Sequence, residues 1–298
     1  MRAAILHAYG EAPTPGEFEE PSAGEGQVVV EVKAAAIHHL DLLKATGNFY
    51  IEQPLPSVPG TDGVGITPQG RRVYFDPTFA PYGSFAQRAL ADANTLIDVP
   101  DEIDDVTAAA LGNTGLGAWL ALTWRAKLQK GETVLVLGAS GAFGRVATQA
   151  AKLLGAGKVI GAARDKERVI GADEVVGLDG EFNGPIDVTI DTLWGAPAEA
   201  AMKQVSRHAR HVQVGQLAGT EITLSAPAIR SVSLSVQGFS GAHPPHEVKR
   251  DAYQTLAKHV ANGEIAIEKE AVKLQDIAAA WERQKAANRR PKLVVVPA

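Results

Sequence analysis

The 298-residue sequence contains no cysteine. Thiolates are required for disulfide bonds, thiolate zinc sites, iron–sulfur clusters and cysteine nucleophiles, so their absence excludes all of these. The sequence also has no apolar run long enough to cross a membrane or to act as a signal peptide. These absences predict a soluble cytoplasmic protein with no membrane partner.

A strong excess of charge of either sign is also missing. The chain has 29 basic and 34 acidic residues, which gives a net charge of −5 at pH 7. Because a nucleic-acid-binding surface is usually basic, this balance argues against a nucleic-acid partner. Hydrophobic residues make up 45% of the chain and charged residues 21%, as in ordinary globular proteins, and the length allows two domains.

The most informative segment runs from Thr133 to Gly155. Its apolar stretch Val134–Leu137 has the length of a buried strand, and a glycine-rich turn and a helix of small residues follow. The glycines are spaced three residues apart and are Gly138, Gly141 and Gly144. Such a turn lets the backbone approach a phosphate, which the helix N-terminus then stabilises. Strand, turn and helix in this order predict dinucleotide binding, and a strand–helix turn without a ligand is the alternative.

The pattern of secondary structure differs before and after this segment. Up to residue 110, short β-rich segments lie between turns of glycine and proline, which predicts a barrel or sandwich. After the glycine turn, strands and helices alternate, as in a doubly wound parallel sheet. We therefore predict an α/β protein with a β-rich substrate domain over residues 1–111 and 248–298 and a dinucleotide-binding domain over 112–247.

One later segment, Ser231–Val236, alternates serines with apolar residues. This pattern predicts a half-exposed strand at the edge of the sheet. Because exposed edges pair readily with other chains, we expect a homodimer formed through this strand. An edge strand shielded by a loop is the alternative.

The end of the second strand of this sheet distinguishes NAD from NADP. An acidic residue there usually binds the ribose hydroxyls of NAD, whereas an arginine accommodates the 2′-phosphate of NADP. Here Ala163 stands in the place of the acid, and Arg164 and Arg168 follow. A guanidinium matches a phosphate in charge and geometry, so we predict NADP(H) as the cofactor. The alternative is a solvated Arg164, with Asp165 bound to the ribose.

Several segments together resemble the medium-chain dehydrogenase/reductase family, and within it the quinone oxidoreductase branch, over essentially the whole chain. These segments are Ala36–Asp41 with Gly47, Pro59–Gly65, Gly112–Leu116 and Gly138–Gly144. The resemblance implies a Rossmann domain together with a GroES-like barrel. Zinc members of the family carry Cys, His and Cys where this chain has His38, Thr61 and Asn113. Because threonine is not a zinc ligand and cysteine is absent, we expect no metal.

The chemistry that the resemblance implies is a metal-free hydride transfer from NADPH to a small-molecule quinone or enone. Negative charge develops on the carbonyl oxygen and requires a hydrogen-bond or proton donor. The catalytic group is left open, and the candidates are His38, His39, Tyr50 and Asn113. An alcohol or aldehyde reductase of the same family, and a nucleotide-binding protein without turnover, are the alternatives.

Cofactor contacts are expected at the glycine turn and after the later strands of the sheet, where such ligands bind. The predicted cofactor-binding residues are Gly138, Ser140, Gly141, Ala142, Phe143, Gly144, Arg164, Arg168, Thr192, Leu193, Gly215, Phe239, Ser240, Arg290 and Lys292. Arg290 and Lys292 are included because the resemblance implies a basic contact to phosphate before the last strand. A solvated basic turn is the alternative at that place.

Overall fold

The computed structural model describes residues 1–49, 53–179, 182, 184–286 and 291–297. The chain divides into two compact units. The first comprises Met1–Thr114, Tyr253–Ala261 and Ile267–Ala298, and the second comprises Gly115–Ala252 and Asn262–Ala266. The assignment of the first unit to the substrate and of the second to the cofactor stays a prediction.

The strands and helices of both units are numbered in chain order. The strands are β1 (Arg2–Ile5), β2 (Thr14–Glu17), β3 (Gln27–Ala36), β4 (Gly63–Ile66), β5 (Arg72–Phe75), β6 (Arg88–Asp92), β7 (Ile97–Asp98), β8 (Thr133–Leu137), β9 (Lys158–Ala162), β10 (Glu174–Val176), β11 (Ile186–Asp191), β12 (Val205–Gln213), β13 (Ser235–Gly238), β14 (Lys269–Lys273) and β15 (Lys292–Val296). The helices are α1 (His39–Lys44), α2 (Asp105–Leu111), α3 (Gly117–Leu120), α4 (Ala142–Leu153), α5 (Gly195–Ala201), α6 (Ala226–Val232), α7 (His246–Ala261) and α8 (Ile277–Lys285). Within the described ranges, no helix has both the length and the apolar character needed to cross a membrane.

The first unit is built on a mixed sheet with the strand order β14-β15-β3-β4-β5-β7, and β6 also pairs with β3. Strand β3 is its longest described member and carries Val28–Val30, whose branched side chains suit a strand. Helix α8 contributes Trp281 to the core, where its ring lies edge-on to Phe85 at 6.5 Å. Strand β15 pairs antiparallel with β3, which brings the C-terminal segment beside the end of β3.

The second unit is a parallel sheet with the strand order β10-β9-β8-β11-β12-β13. Strand β8 lies inside the sheet, and its residues Val134–Leu137 are fully buried, as expected for an apolar run without alternation. The strand order reverses direction between β8 and β11, which is the switch point where doubly wound sheets bind ligands. The predicted fold class, an α/β protein with a Rossmann sheet and a separate β-rich part, is confirmed.

The edge strand predicted over Ser231–Val236 begins later than predicted, because β13 starts only at Ser235. Helix α6 covers the first part of this segment, because the Ser225 hydroxyl accepts a hydrogen bond from the Ala228 N–H and caps the helix start. Ser233 has a φ of 54° and ends the helix, and β13 starts two residues later. Strand β13 is nevertheless the edge of the described sheet, and the homodimer stays a prediction.

Candidate active site

The glycine turn between β8 and α4 has little room for side chains at two positions. Gly138 has a φ of 85°, and a Cβ atom there would lie 2.3 Å from Oγ1 of Thr192. A Cβ atom on Gly144 would lie 2.3 Å from the Gly138 carbonyl oxygen. Glycine is therefore required at both positions, because every other residue carries a Cβ atom.

Gly141 differs from these two glycines, because the packing of the described residues leaves room for a Cβ atom there. It is the exposed N-cap of α4, and its nearest neighbour to an added Cβ is the Gly138 oxygen at 3.4 Å. Among the described residues, no side chain makes a capping hydrogen bond at the start of α4. A diphosphate fits this arrangement, since the helix N-terminus offers both hydrogen-bond donors and a partial positive charge.

The turn is anchored to the end of β9. The backbone N–H groups of Gly138 and Ala139 both donate to the Ala162 carbonyl, at 2.9 and 3.0 Å. Ala163 is buried, and its N–H donates to the Val176 carbonyl at 3.1 Å. Arg164 follows and is exposed, so its guanidinium lies at the surface directly after the strand that holds the turn.

The carboxyl ends of β8, β11 and β12 bring together four of the predicted cofactor residues. The Thr192 hydroxyl donates to the Leu137 carbonyl at 2.9 Å, beside the Gly138 position. A Cβ atom on Gly215 would lie 2.7 Å from the Thr192 carbonyl oxygen. Leu193 is buried next to them, and its N–H donates to Asp191 at 2.8 Å.

Four further residues predicted to bind the cofactor lie in the glycine turn, at the start of α4 and after β9. Ser140 belongs to the turn, while Ala142 and Phe143 begin α4. The Arg168 carbonyl accepts a hydrogen bond from Arg145 at 3.1 Å, in a short turn that follows β9. Their roles in binding stay predictions.

Two further predictions lie after β13. The Phe239 ring packs against Trp124 with a centroid distance of 6.4 Å, and its N–H donates to the Gln213 carbonyl. The Ser240 hydroxyl accepts from the Ala242 N–H at 3.3 Å. The predictions for Arg290 and Tyr50 lie outside the described residues.

A buried polar cluster surrounds His38 in the first unit. Its Nε2 atom lies 2.7 Å from Oδ1 of Asp62, while Nδ1 lies 2.8 Å from Nζ of Lys292 and 3.2 Å from Oγ1 of Thr114. His38, Asp62 and Lys292 are all buried. Because a carboxylate only accepts hydrogen bonds, Nε2 carries the proton that faces Asp62, and Nδ1 faces the other two groups.

The Asp62 carboxylate is held by further donors at its second oxygen. The Tyr74 hydroxyl and the Asn113 N–H each donate to Oδ2 at 2.9 Å. Burial alone would raise the pKa of the Asp62 carboxyl. His38, the Asn113 N–H and Tyr74 outweigh burial and lower that pKa below its ordinary value. Asn113 therefore acts in this cluster through its backbone, and a catalytic role for its side chain stays a prediction.

A second carboxylate, Asp41, fixes the start of α1. Its oxygens accept from the His38 N–H at 2.7 Å and from the Thr61 N–H and hydroxyl at 3.0 and 2.8 Å. The Thr61 hydroxyl in turn accepts from Lys44 at 3.1 Å. Hydrogen bonds thus engage His38 and Thr61, two of the positions that correspond to zinc ligands. In the described part of the chain, no three His, Asp or Glu side chains are grouped to hold a metal.

Lys292 was predicted to contact phosphate, and a solvated basic turn was the alternative. Its ammonium is buried and donates to the Ile37 carbonyl at 2.9 Å and to His38. Burial lowers the pKa of Lys292 to about 8, against the opposing effects of Asp62 and Asp41. A contact with phosphate stays a prediction. His39, the neighbouring candidate, is exposed.

Comparison with known proteins gives the family. No family model matches the chain. The chain is 30% identical over 276 residues to the Emericella nidulans protein named "Probable NADPH-dependent quinone reductase tdiC", covering 73% of this chain and 76% of that protein. It is 34% identical over 188 residues to the Lama guanicoe quinone oxidoreductase, covering 58% of this chain and 54% of that enzyme.

A solved structure agrees over the full length. The quinone oxidoreductase of Thermus thermophilus superposes with a TM-score of 0.86 and 25% identity, covering 100% of both chains. The chain therefore belongs to the medium-chain dehydrogenase/reductase family of oxidoreductases, in its quinone oxidoreductase-like branch.

Proposed function

We propose that the chain is an NADPH-dependent reductase that transfers hydride to quinones or activated enones without a metal. The observation that carries the proposal is the open glycine turn before α4, tied to a strand that ends in Ala163 and Arg164. Two relatives support it: one is named as an NADPH-dependent quinone reductase, and the Thermus thermophilus enzyme was solved in complex with NADPH.

In this proposal the second unit holds NADP(H) at the ends of its parallel strands. The N–H groups at the start of α4 bind the diphosphate, and Arg164 pairs with the 2′-phosphate. Thr192 and Gly215 line the cofactor site next to the glycine turn. The bound nicotinamide supplies the hydride, and the chain supplies position and electrostatic stabilisation.

The proposal that the reaction needs no metal rests on the residues at the positions of the zinc ligands. Both ring nitrogens of His38 have protein partners, and the Thr61 hydroxyl donates to Asp41. Zinc would have to displace these contacts, and no cysteine exists to replace them. Hydrogen bonds must then stabilise the charge that forms on the substrate oxygen.

The test is NADPH oxidation against ortho-quinones, para-quinones, enones and aldehydes, each with and without a metal chelator. We expect turnover of quinones or enones that the chelator leaves unchanged. Turnover of aldehydes alone would support an alcohol or aldehyde reductase. Tight NADPH binding without turnover would indicate a binding protein. Either of these two results, or inhibition by the chelator, would reject the proposal.

The edge strand β13 supports an additional proposal, a homodimer formed by pairing two such strands. Val236 in this strand is 40% exposed, which is high for a large apolar residue in a sheet. Light scattering should give twice the chain mass of 31.3 kDa. A monomeric mass would reject the dimer and leave the proposed activity untouched.

A further inference from the structure

We propose that Lys292, His38 and Thr114 form a proton relay, which delivers a proton from the Thr114 hydroxyl to the substrate oxygen as the substrate is reduced. The inference rests on the proposed reductase activity and adds the proton source that the sequence leaves open. Three contacts define the relay: Nζ of Lys292 to Nδ1 of His38, Nδ1 of His38 to the Thr114 hydroxyl, and Nε2 of His38 to Asp62.

The geometry allows one proton to be shared between Lys292 and His38. With the Nε2 proton directed to Asp62, a neutral His38 presents its lone pair at Nδ1, 2.8 Å from the Lys292 ammonium. Transfer of a proton across this contact leaves a neutral amine and an imidazolium beside the Asp62 carboxylate. The total charge of the buried cluster stays the same, so the transfer does not bury an additional charge.

The charged and polar groups around His38 contact atoms other than Nδ1. Asp62 accepts from the ring, and Asp41 accepts from the His38 backbone N–H. Lys44 donates to Thr61 rather than to the ring, and the Tyr74 hydroxyl donates to Asp62. None of these four groups donates to Nδ1, so this atom keeps its contacts with Lys292 and Thr114.

The acidity of the lysine also fits a donor that works near neutral pH. Burial lowers the pKa of Lys292 from 10.5 to about 8. A general acid is most effective when its pKa lies near the working pH, whereas an ordinary lysine holds its proton too tightly.

The step balances in atoms and charge. Hydride addition leaves a negative charge on the substrate oxygen. Lys292 first transfers a proton to Nδ1, which forms the imidazolium and a neutral amine. The Thr114 O–H bond then breaks and its proton goes to the substrate oxygen, while the Nδ1–H bond breaks and that proton goes to the Thr114 oxygen. Lys292 loses one proton overall, and water restores it after product release. Thr114 is half-buried, which makes it the member of the relay nearest to solvent.

A matched pair of variants at Thr114 tests the last proton transfer, from the Thr114 hydroxyl to the substrate oxygen. Thr114→Val keeps the shape but removes the hydroxyl, so we expect kcat with para-benzoquinone to fall about 100-fold. Thr114→Ser keeps the hydroxyl and should stay within about threefold of the wild type, a margin set by the small change in packing. The Kd for NADPH, measured by fluorescence, should be unchanged in both. Equal kcat values for the valine and serine variants would overturn the relay.

Lys292→Arg tests the proton source, because arginine keeps the positive charge and the donors but does not release a proton. For the wild type we expect kcat to fall as the pH rises through about 8. The arginine variant should lose this pH dependence and about 100-fold in kcat, as expected for a lost general acid. Wild-type kcat in the arginine variant would show that the lysine is only structural.

A measurement on the protein without cofactor separates the relay from the reductase activity. In nitrogen NMR spectra, the Nδ1 resonance of His38 should shift as the pH passes about 8, and this shift should vanish in Lys292→Arg. If the wild type reduces quinones but its Nδ1 resonance does not shift, the relay is wrong and the reductase proposal stands. If the resonance shifts but no quinone or enone is reduced, the proposed function fails and the relay fails with it.

Discussion

A Cβ atom on Gly144 would lie 2.3 Å from the Gly138 carbonyl oxygen, which belongs to the rigid backbone of the turn. The neighbour cannot move away as a flexible side chain could. We therefore expect Gly144→Ala to lower the free energy of unfolding by about 1–3 kcal/mol, the usual range for overpacking. Urea unfolding without cofactor measures this change. A variant as stable as the wild type would contradict the packing of the turn.

Gly141→Ala is the matched substitution in the same turn. Gly141 has a φ of −78°, which alanine adopts, and an added Cβ would come no closer than 3.4 Å to its nearest neighbour. We expect unchanged urea unfolding but a Kd for NADPH about tenfold higher, because the methyl group occupies space at the helix N-terminus. Unchanged NADPH binding would place the diphosphate elsewhere.

Arg164→Ala tests the choice of nucleotide. Removal of the guanidinium should raise the Kd for NADPH about tenfold or more and leave the Kd for NADH within about twofold, since only NADPH carries the 2′-phosphate. Lys166→Ala, at an exposed position two residues later, serves as the control and should affect both cofactors alike. Equal losses in Arg164→Ala would favour ribose binding by Asp165.

The buried Lys292 makes stability depend on pH. Its pKa is about 8 in the folded chain and 10.5 as an ordinary lysine, so the unfolded chain binds more protons between these values. The free energy of unfolding should therefore rise with pH in this window, by at most ~1.4 kcal/mol per pH unit.

Urea unfolding at several pH values between 8 and 10.5 measures this slope. Lys292→Met should abolish it, because methionine has no proton to lose. Lys285→Met is the control, since Lys285 is exposed, and should keep the slope of the wild type. If Lys292→Met keeps the slope as well, another group is responsible.

Two stacked tyrosines give a comparison of hydrogen bonds. The rings of Tyr74 and Tyr253 lie 4.8 Å apart, and their hydroxyls donate to the Asp62 carboxylate and the Ala108 carbonyl. Bonds to charged groups contribute about 1.5–3 kcal/mol and neutral ones about 0.5–1.5. Tyr74→Phe should thus destabilise the protein more than Tyr253→Phe in urea unfolding. A larger loss in Tyr253→Phe would contradict this ranking.

The parts of the structure that could be predicted are those whose pattern is continuous along the chain. The buried run Val134–Leu137, the glycine turn and α4 follow one another directly, so their order and spacing indicate the parallel sheet and its switch point. Ala163 and Arg164 could be located for the same reason, because they follow the next strand.

The His38 cluster could not be predicted in this way. Lys292 lies 254 residues from His38, and the antiparallel register of β15 with β3 brings them together. Nothing in either local segment specifies that register. The resemblance to the zinc enzymes predicted that His38 and Thr61 bind no metal. It did not predict the hydrogen bonds that these two residues make instead.

The start of the edge strand predicted from the alternation over Ser231–Val236 was wrong for another reason. Serines can cap a helix as well as face solvent from a strand, and here Ser225 starts α6 while Ser233 ends it in a left-handed conformation. The alternating segment therefore covers the end of α6, a short connection and the first two residues of β13. Local patterns do not distinguish these uses of serine.

The double hydrogen bond at the Ala162 carbonyl has a consequence for protein engineering. It is made entirely by backbone atoms, from Gly138 and Ala139, and so it does not depend on the side chains that follow β9. A coenzyme switch could therefore be attempted by exchanging side chains at positions 163–165 alone. Every variant with substitutions at these positions would keep the two backbone hydrogen bonds that hold the glycine turn against β9.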